Sequence, residues 1–195
     1  MAQLFASAFE EVVFWVVFFL GIAISSVIED IGARQSKKSQ KVTGDKNTSL
    51  VLNMALFFSF AAAVLFGYAR IAGLPSLLFY PGLATYVFGI AYASWAAIAL
   101  GRFYAPTVQV QVDHKVIDTG QYHFIRHPRC AGGLLAFLGI GLALQSWAAV
   151  LTLLIVMGLG YVYRIRVEEK LLIAELGDQY REYCKRTKSI IPFIL

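Results

Sequence analysis

Two short segments of this 195-residue chain hold most of the side chains that could do chemistry. Residues 113–133, DHKVIDTGQYHFIRHPRCAGG, carry three histidines, two arginines and a lysine. Residues 164–186, RIRVEEKLLIAELGDQYREYCKR, place Arg164 four residues before Glu168.

The first segment contains a helix start. Pro128 suits the opening turn of a helix, since its missing N–H would be unpaired there and its φ is already helical. The free backbone N–H groups near Cys130 and the positive end of the helix dipole would then favour a carboxylate. Four glycines would let a neighbouring helix or a ligand come close: Gly132, Gly133, Gly139 and Gly141.

A metal site is the competing interpretation of the first segment. His123 and His127 are four residues apart, and Cys130 follows three residues later. Pro128 interrupts the helix that would align the two rings, and no fourth ligand is apparent, so we expect no metal. In a simpler interpretation, the arginines and His127 only anchor a span to lipid headgroups.

The second segment also has a simpler interpretation. Arg164 and Glu168 share one helical face, while Glu169 points about 100° away. They could form a surface ion pair on an interfacial helix whose apolar side includes Leu171, Leu172, Leu176, Tyr180 and Tyr183. Ionisable residues close to the end of a span are costly, however, which favours a functional role.

The elements that must position these segments are membrane spans. Hydrophobic residues make up 58% of the chain, charged residues 15%, and the mean hydropathy is +0.66. Crossing the hydrocarbon core takes roughly 20 apolar residues. Three uncharged runs qualify, at 12–28, 50–69 and 71–101, the last as a helix over 81–100. Residues 29–49 separate the first two runs and are expected to be a polar loop.

The fourth uncharged run, 130–163, is too long for one span and has a break at Gln145 and Ser146. We predict a tight hairpin with arms of about 16 residues, or about 24 Å each, which would bring the two charged segments together. One long tilted span is the alternative. An interfacial helix is expected to follow the hairpin.

The fold class predicted for residues 1–195 is therefore all-α: a single, multi-pass integral membrane domain of about five transmembrane helices. With the N-terminus outside and the C-terminus cytoplasmic, 16 of the 17 basic residues lie inside, and only Arg70 lies outside. No nucleic-acid module is apparent, and Cys130 and Cys184 suggest no disulfide.

The combined motif resembles the isoprenylcysteine carboxyl methyltransferase family. It runs from Gly120-x-Tyr122 and Arg126-His127-Pro128, through a glycine-bearing hairpin, to Arg164, Glu168-Glu169, Leu176-Gly177-x-x-Tyr180-x-x-Tyr183 and Ile191-Pro192-Phe193. Residues 101–195 would be the cofactor-binding catalytic half, and residues 1–100 match only as spans. The resemblance implies methyl transfer from S-adenosylmethionine to the α-carboxylate of a C-terminal prenylated cysteine, with S-adenosylhomocysteine as product.

The resemblance also implies site residues. Arg164 falls where the family binds its substrate. The cofactor contacts fall on Gln109, His114, Lys115, Val116, Ile117, Tyr122, His127, Pro128, Arg129, Cys130 and Glu168. The family carries tyrosine where this chain has Cys130. The implied partners are a prenylated cysteine or another lipidic carboxylate, and membrane lipid.

Three alternative functions stay open at this point. A phospholipid or other small-lipid methyltransferase shares much of the motif, but an amine acceptor would need a base and would not need Arg164. A membrane-bound sterol-type reductase would bind a nicotinamide cofactor. A non-enzymatic scaffold or sensor would have no use for Arg164 and Glu168 together.

Overall fold

A computed structural model of the chain describes residue 5 and residues 7–38, 41–45, 47–111 and 113–190. The predicted motif at 191–193 lies outside these residues. Within them the elements are α1 (Ala8–Lys38), β1 (Lys41–Asp45), α2 (Asn47–Tyr68), α3 (Phe79–Leu100), β2 (Val108–Gln111), α4 (Pro128–Ala143), α5 (Trp147–Leu176) and α6 (Asp178–Arg186). Short 3₁₀ turns occupy Ser76–Leu78, Gly101–Phe103 and Gly120–His123.

Four of the described helices, α1, α2, α3 and α5, are long and apolar enough to cross a membrane. The fifth apolar helix, α4, has 16 residues and would reach about 24 Å, slightly less than the hydrocarbon core of about 30 Å. Large apolar side chains point outward along the bundle, such as Phe19 at 60% exposure and Leu159 at 67%. An outward apolar surface of this kind is what lipid as the solvent requires.

Glycines allow α3 and α4 to pack backbone against backbone. A Cβ added at Gly82 would lie 2.5 Å from the Ala143 nitrogen, and one added at Gly132 would lie 2.6 Å from the Ala93 nitrogen. Small residues bring helices this close where lipid provides no hydrophobic drive for association. The start of α4 is therefore fixed against α3.

The other glycines of α4 face α5. The hydroxyl of Tyr161 occupies the space beside Gly133, and the backbone of Val150 lies against Gly141. These contacts pair the start of α4 with the middle of α5, so the two helices run antiparallel. The turn between them falls at residues 144–146, and the start of α4 comes to lie near Arg164.

Two boundaries differ from the predictions. The stretch predicted as a loop at 29–49 contains the end of α1 and strand β1, which pairs with β2 in an antiparallel ribbon. The predicted terminal helix does not begin at Arg164, because α5 continues through Arg164 to Leu176. Gly177, at φ +56°, ends α5, and α6 follows. No proline or glycine lies between Tyr163 and Leu176 to stop the helix sooner.

The two ends of the bundle differ in composition. One end holds the turn at 144–146 and the α2–α3 connection with Arg70. The other end holds the β1–β2 ribbon, the start of α4, the end of α5 and α6. Both charged segments of the sequence lie at this second end, which we call the polar end.

Candidate ligand site

A single cavity at the polar end joins the two charged segments. Its walls come from the segment that follows α3, from β2 and the loop after it, from the start of α4, from the last turns of α5 and from α6. The apolar side chains of the late α5 turns line it as well, including Leu171, Leu172 and Leu176. These leucines were expected on the apolar side of an interfacial helix; in the structure that side lines the cavity.

Arg126 and His127 line the cavity and form an ionic contact with Glu169 at its wall. One oxygen of Glu169, Oε1, accepts from Arg126 Nε at 2.8 Å and lies 3.1 Å from His127 Nε2. The side chains of Arg126 and His127 are 14% and 5% exposed. Charged hydrogen bonds with this much burial are strong and directional. The pair therefore holds the start of α4 against α5.

The same arginine docks the C-terminal helix. Arg126 Nη1 donates to the carbonyls of Cys184, at 3.1 Å, and Thr187, at 2.5 Å, at the end of α6. Tyr183 Oη donates to the carbonyl of Tyr122 at 2.6 Å. Because the last carbonyls of a helix have no partner within it, the guanidinium of Arg126 provides hydrogen-bond donors for the end of α6. This helix thereby becomes one wall of the cavity.

Arg164 and Glu168 lie on the same face of α5, as their spacing predicted. Arg164 Nη2 donates to the carbonyl of Pro106 at 2.8 Å, and Arg164 Nε is 3.9 Å from Glu168 Oε2. A separation of 3.9 Å is an ion pair and not a hydrogen bond. A guanidinium has five donors, so most of those on Arg164 are not used by the described residues.

Arg129 reaches toward α1. Its Nη2 is 2.6 Å from Glu29 Oε1, and its guanidinium carbon lies 4.9 Å from the centre of the Tyr104 ring. Arginine stacks on aromatic faces in this way. Helix α1 therefore contacts the site region. The resemblance did not predict this contact, because it matched residues 1–100 only as membrane spans.

Two polar atoms in the cavity walls are buried and have no partner among the described residues. They are Nδ1 of His114 and the hydroxyl of Tyr104. Burial lowers the pKa of His114 below its ordinary value, so its ring is neutral at pH 7. Buried polar groups are usually hydrogen-bonded. These two atoms are not, and they lie in the same cavity wall as the unused donors of Arg164. This arrangement is consistent with a cavity that takes a polar ligand.

The cavity brings together nearly all the predicted site residues. Those that line it are Gln109, His114, Lys115, Val116, Ile117, Tyr122, His127, Arg129, Cys130, Arg164 and Glu168. Pro128 is buried behind the wall as the first residue of α4. Whether these residues bind a cofactor stays a prediction.

Arg126, Glu169 and Tyr104 were not predicted as site residues. Arg126 belongs to the Arg126-His127-Pro128 motif and Glu169 to the pair Glu168-Glu169, but their spacing along the chain did not predict that they contact each other. Nothing in the sequence singled out Tyr104.

The histidines face different carboxylates. His123 Nδ1 lies 3.3 Å from Asp118, and His127 faces Glu169. Within the described residues no three His, Cys, Asp or Glu side chains are grouped so that they could hold a metal ion. His123 and His127 thus pair with different carboxylates, and Cys130 lines the cavity.

The fold and the cavity define a polytopic membrane protein with a cavity lined by charged and apolar side chains at one end of the bundle. The phospholipid methyltransferase family matches residues 77–179, and the chain belongs to that family. The match runs from the 3₁₀ turn before α3 into α6, so it includes the whole first charged segment and residues 164–179 of the second.

Curated relatives are named as isoprenylcysteine methyltransferases. Protein-S-isoprenylcysteine O-methyltransferase of Schizosaccharomyces pombe is 28% identical over 155 residues, which is 78% of this chain and 62% of that protein. Protein-S-isoprenylcysteine O-methyltransferase B of Arabidopsis thaliana is 29% identical over 115 residues, or 58% of each chain. The chain thus spans about three fifths of the length of these relatives.

A solved structure shares the fold. The eukaryotic intramembrane Ras methyltransferase, an isoprenylcysteine carboxyl methyltransferase, superposes with a TM-score of 0.58 and 23% identity, covering 78% of this chain and 55% of that one. This likeness and the four span-length helices confirm the predicted fold, a polytopic helical membrane protein.

Proposed function

We propose that this chain transfers a methyl group from S-adenosylmethionine to the α-carboxylate of a C-terminal isoprenylated cysteine. The observation that carries the proposal is one cavity in which Arg164 and Glu168 face the start of α4 and the loop at 114–117. The relatives named as isoprenylcysteine O-methyltransferases support the choice of acceptor.

Arg164 is the proposed substrate-binding and catalytic residue. The acceptor carboxylate has a reference pKa of about 3.5 and is ionised at pH 7. Arg164, held by the carbonyl of Pro106, has free donors with which to orient that carboxylate. No base is required, because an ionised oxygen already has the electron pair that forms the new bond. The protein's contribution is then positioning and exclusion of water.

S-adenosylmethionine, when bound, supplies a methyl group on a positively charged sulfur; an O–CH₃ bond forms, the S–CH₃ bond breaks and neutral S-adenosylhomocysteine leaves. The charges of the two reactants cancel and no proton moves. The chain's task at this step is to keep the cavity dry and to hold the two reactants in line.

The proposed cofactor residues are those that surround the start of α4 together with Glu168. Backbone N–H groups near His127 and Cys130 would bind the cofactor's carboxylate. Glu168, 34% exposed at its side chain, would accept from its ammonium or ribose. The loop that carries His114 and Ile117 would enclose the rest.

The prenyl chain is expected on the membrane side of Arg164. Leu171, Leu172 and Leu176 line the cavity further along α5, beyond Arg164 and outside the bilayer core. A prenyl group already resides in lipid, so sideways entry between helices avoids its transfer through water.

We also propose an orientation, with the N-terminus outside and the polar end cytoplasmic. The polar end holds most of the basic side chains, and Arg70 lies at the opposite end. Lys and Arg in short loops prefer the cytoplasmic face.

Methylation of a lipid amine is the second candidate, favoured by the family match itself. An amine must lose a proton before it can attack, so the rate of such a reaction would rise with pH. A carboxylate acceptor predicts a nearly level rate between about pH 6 and 8.

The test uses detergent-purified full-length protein. We expect calorimetric binding of S-adenosylhomocysteine and transfer of a labelled methyl group to N-acetyl-S-farnesylcysteine. Phosphatidylethanolamine vesicles provide the competing acceptor. Methylation of the lipid alone would replace the proposal with the second candidate, and failure to bind S-adenosylhomocysteine would end both.

A further inference from the structure

Tyr104 lies at the junction between α1 and the cavity. Its side chain is 4% exposed, and one edge of its ring rests against the backbone of α1, where a Cβ at Gly32 would be 2.6 Å from the ring carbon Cε1. The guanidinium of Arg129 lies over the ring at 4.9 Å. Tyr104 is also one of the residues that line the cavity. The ring is therefore held firmly by contacts that do not involve its hydroxyl.

The hydroxyl itself is buried and finds no partner among the described residues. Leaving a buried hydroxyl unpaired is costly, and other buried tyrosines in the described part of this chain avoid that cost. Tyr86 donates to the carbonyl of Phe18 at 2.9 Å, and Tyr122 donates to the carbonyl of Ala96 at 3.2 Å. Tyr104 departs from that pattern at a cavity wall.

The charged groups around this hydroxyl indicate which kind of hydrogen-bond partner it can have. Burial raises the pKa of Tyr104 to about 12, so the group is protonated at neutral pH and acts as a donor. Arg129, Glu29, Arg164 and Glu168 all influence the hydroxyl electrostatically, and Arg129 is already paired with Glu29. Arg164 has unused donors of its own, as described above. Two donor groups that converge on one cavity, one of them cationic, favour an anionic oxygen.

We propose that Tyr104 is a ligand-binding residue whose hydroxyl donates a hydrogen bond to a carboxylate bound in the cavity. This inference rests on the proposed function. A carboxylate is present both on the methyl acceptor and on the amino-acid part of the cofactor, and the experiment separates the two sources.

The experiment removes only the hydroxyl, with Tyr104→Phe in the full-length protein. A hydrogen bond to a charged group predicts a loss of about ten- to a hundredfold in affinity for the carboxylate that receives it. Weaker calorimetric binding of S-adenosylhomocysteine would assign the bond to the cofactor. Normal binding of S-adenosylhomocysteine with a raised KM for N-acetyl-S-farnesylcysteine would assign it to the acceptor.

A second readout requires no turnover. In the absence of ligand, Tyr104→Phe should not lower the thermal midpoint, because the hydroxyl has no partner to lose. The matched control is Tyr86→Phe, which removes a hydroxyl that does have a partner and that is remote from the cavity. The control should lower the ligand-free midpoint and leave both affinities unchanged.

Two results would overturn the inference. One is a Tyr104→Phe protein that binds S-adenosylhomocysteine and uses the acceptor as the wild type does. The other is a drop in the ligand-free midpoint that matches the drop in Tyr86→Phe, since it would show that the hydroxyl has a structural partner. Loss of S-adenosylhomocysteine binding in the wild type would instead contradict the proposed function.

Discussion

The two ends of the bundle are joined in different ways. At the end opposite the cavity, Ser146 Oγ donates to the carbonyl of Ile71 at 2.6 Å, and Leu74 N donates to the carbonyl of Gln145 at 2.7 Å. Trp147 N donates to the carbonyl of Ala72 at 2.9 Å. Each of these bonds joins the turn at 144–146 or the first residue of α5 to the α2–α3 connection and involves the backbone.

At the polar end, charged side chains join the elements in addition to backbone bonds, such as the one from Arg126 N to the carbonyl of Lys188 at 2.7 Å. Glu169 holds Arg126 and His127, and Glu29 holds Arg129. Backbone hydrogen bonds fix the path of the chain, and the N–H and C=O groups that form them are no longer available to a ligand. Long charged side chains can connect elements and still present donors to a ligand. The comparison predicts that changes at the polar end alter ligand use, while changes at the opposite end alter stability alone.

The largest effect is expected from Arg164→Ala. Loss of charged hydrogen bonds to the acceptor should lower kcat/KM for N-acetyl-S-farnesylcysteine by about a hundredfold, as measured by transfer of labelled methyl groups. Affinity for S-adenosylhomocysteine should change little, and Glu168→Ala should show the reverse. Arg181→Ala is the control, because Arg181 is 58% exposed and its ion pair among the described residues is with Asp178 at the surface. Small and equal effects of Arg164→Ala and Glu168→Ala would instead indicate a surface ion pair.

The next largest effect is expected from Glu169→Ala. It leaves Arg126 and His127 buried without their carboxylate, and breaking a buried pair typically costs about 3 kcal/mol or more. The free energy of unfolding should fall by about that amount, discounted toward 2 kcal/mol because the Glu169 side chain is 23% exposed.

Glu182→Ala is the matched control for Glu169→Ala. Its partner Lys185 is 70% exposed and Glu182 is 63% exposed, so the free energy of unfolding should hardly change. Equal effects of the two substitutions would mean that the ionic contact at the cavity wall does not hold the polar end together.

Ser146→Ala tests the opposite end. It removes the side-chain acceptor that caps α5, through Ala149 N at 3.2 Å, and the bond to the Ile71 carbonyl. We expect a loss of about 1–2 kcal/mol in the free energy of unfolding, measured by denaturant titration in detergent. Calorimetry should show an unchanged affinity for S-adenosylhomocysteine. A clear change in that affinity would contradict the separation of the two ends.

The smallest effect concerns pH. Burial lowers the pKa of His114 in the folded chain, so below the unfolded value of about 6.5 the unfolded chain binds more protons. Stability should therefore be complete above about pH 6.5 and fall as the pH drops below it. Melting temperatures between about pH 5 and 8 should show this fall in the wild type, and a smaller fall in His114→Asn. Identical pH profiles would mean that the ring of His114 is not buried as described.

The sequence was sufficient to predict a polytopic helical membrane protein and the helix start at Pro128. Each of these features is local: uncharged length, a proline at the first turn of a helix, or polar residues that interrupt an apolar run. The i, i+4 spacing also predicted correctly that Arg164 and Glu168 share a face of α5. The extension of α5 past Arg164 was missed because charge was taken to end the helix, although charge only ends the part suited to lipid.

Individual contacts between distant segments could not be predicted from the sequence. Glu29 and Arg129 are a hundred residues apart, and helical periodicity gives the face of a residue without giving the helix that it meets. Strand β1 was missed because its five residues, KVTGD, have no alternating apolar pattern. Tyr104 follows an apolar helix and looks like an ordinary interfacial aromatic residue.

The unbroken course of α5 also fixes the depth of the cavity relative to the bilayer. From Trp147, which is 51% exposed, to Arg164 the helix rises by about 26 Å at 1.5 Å per residue. That length is close to the thickness of the hydrocarbon core, about 30 Å, and exposed tryptophans favour the membrane surface. With Trp147 at one surface, Arg164 reaches the headgroup layer of the other. The length of α5 therefore places the Arg164 guanidinium at the membrane boundary, where a lipid anchor ends and its polar head begins.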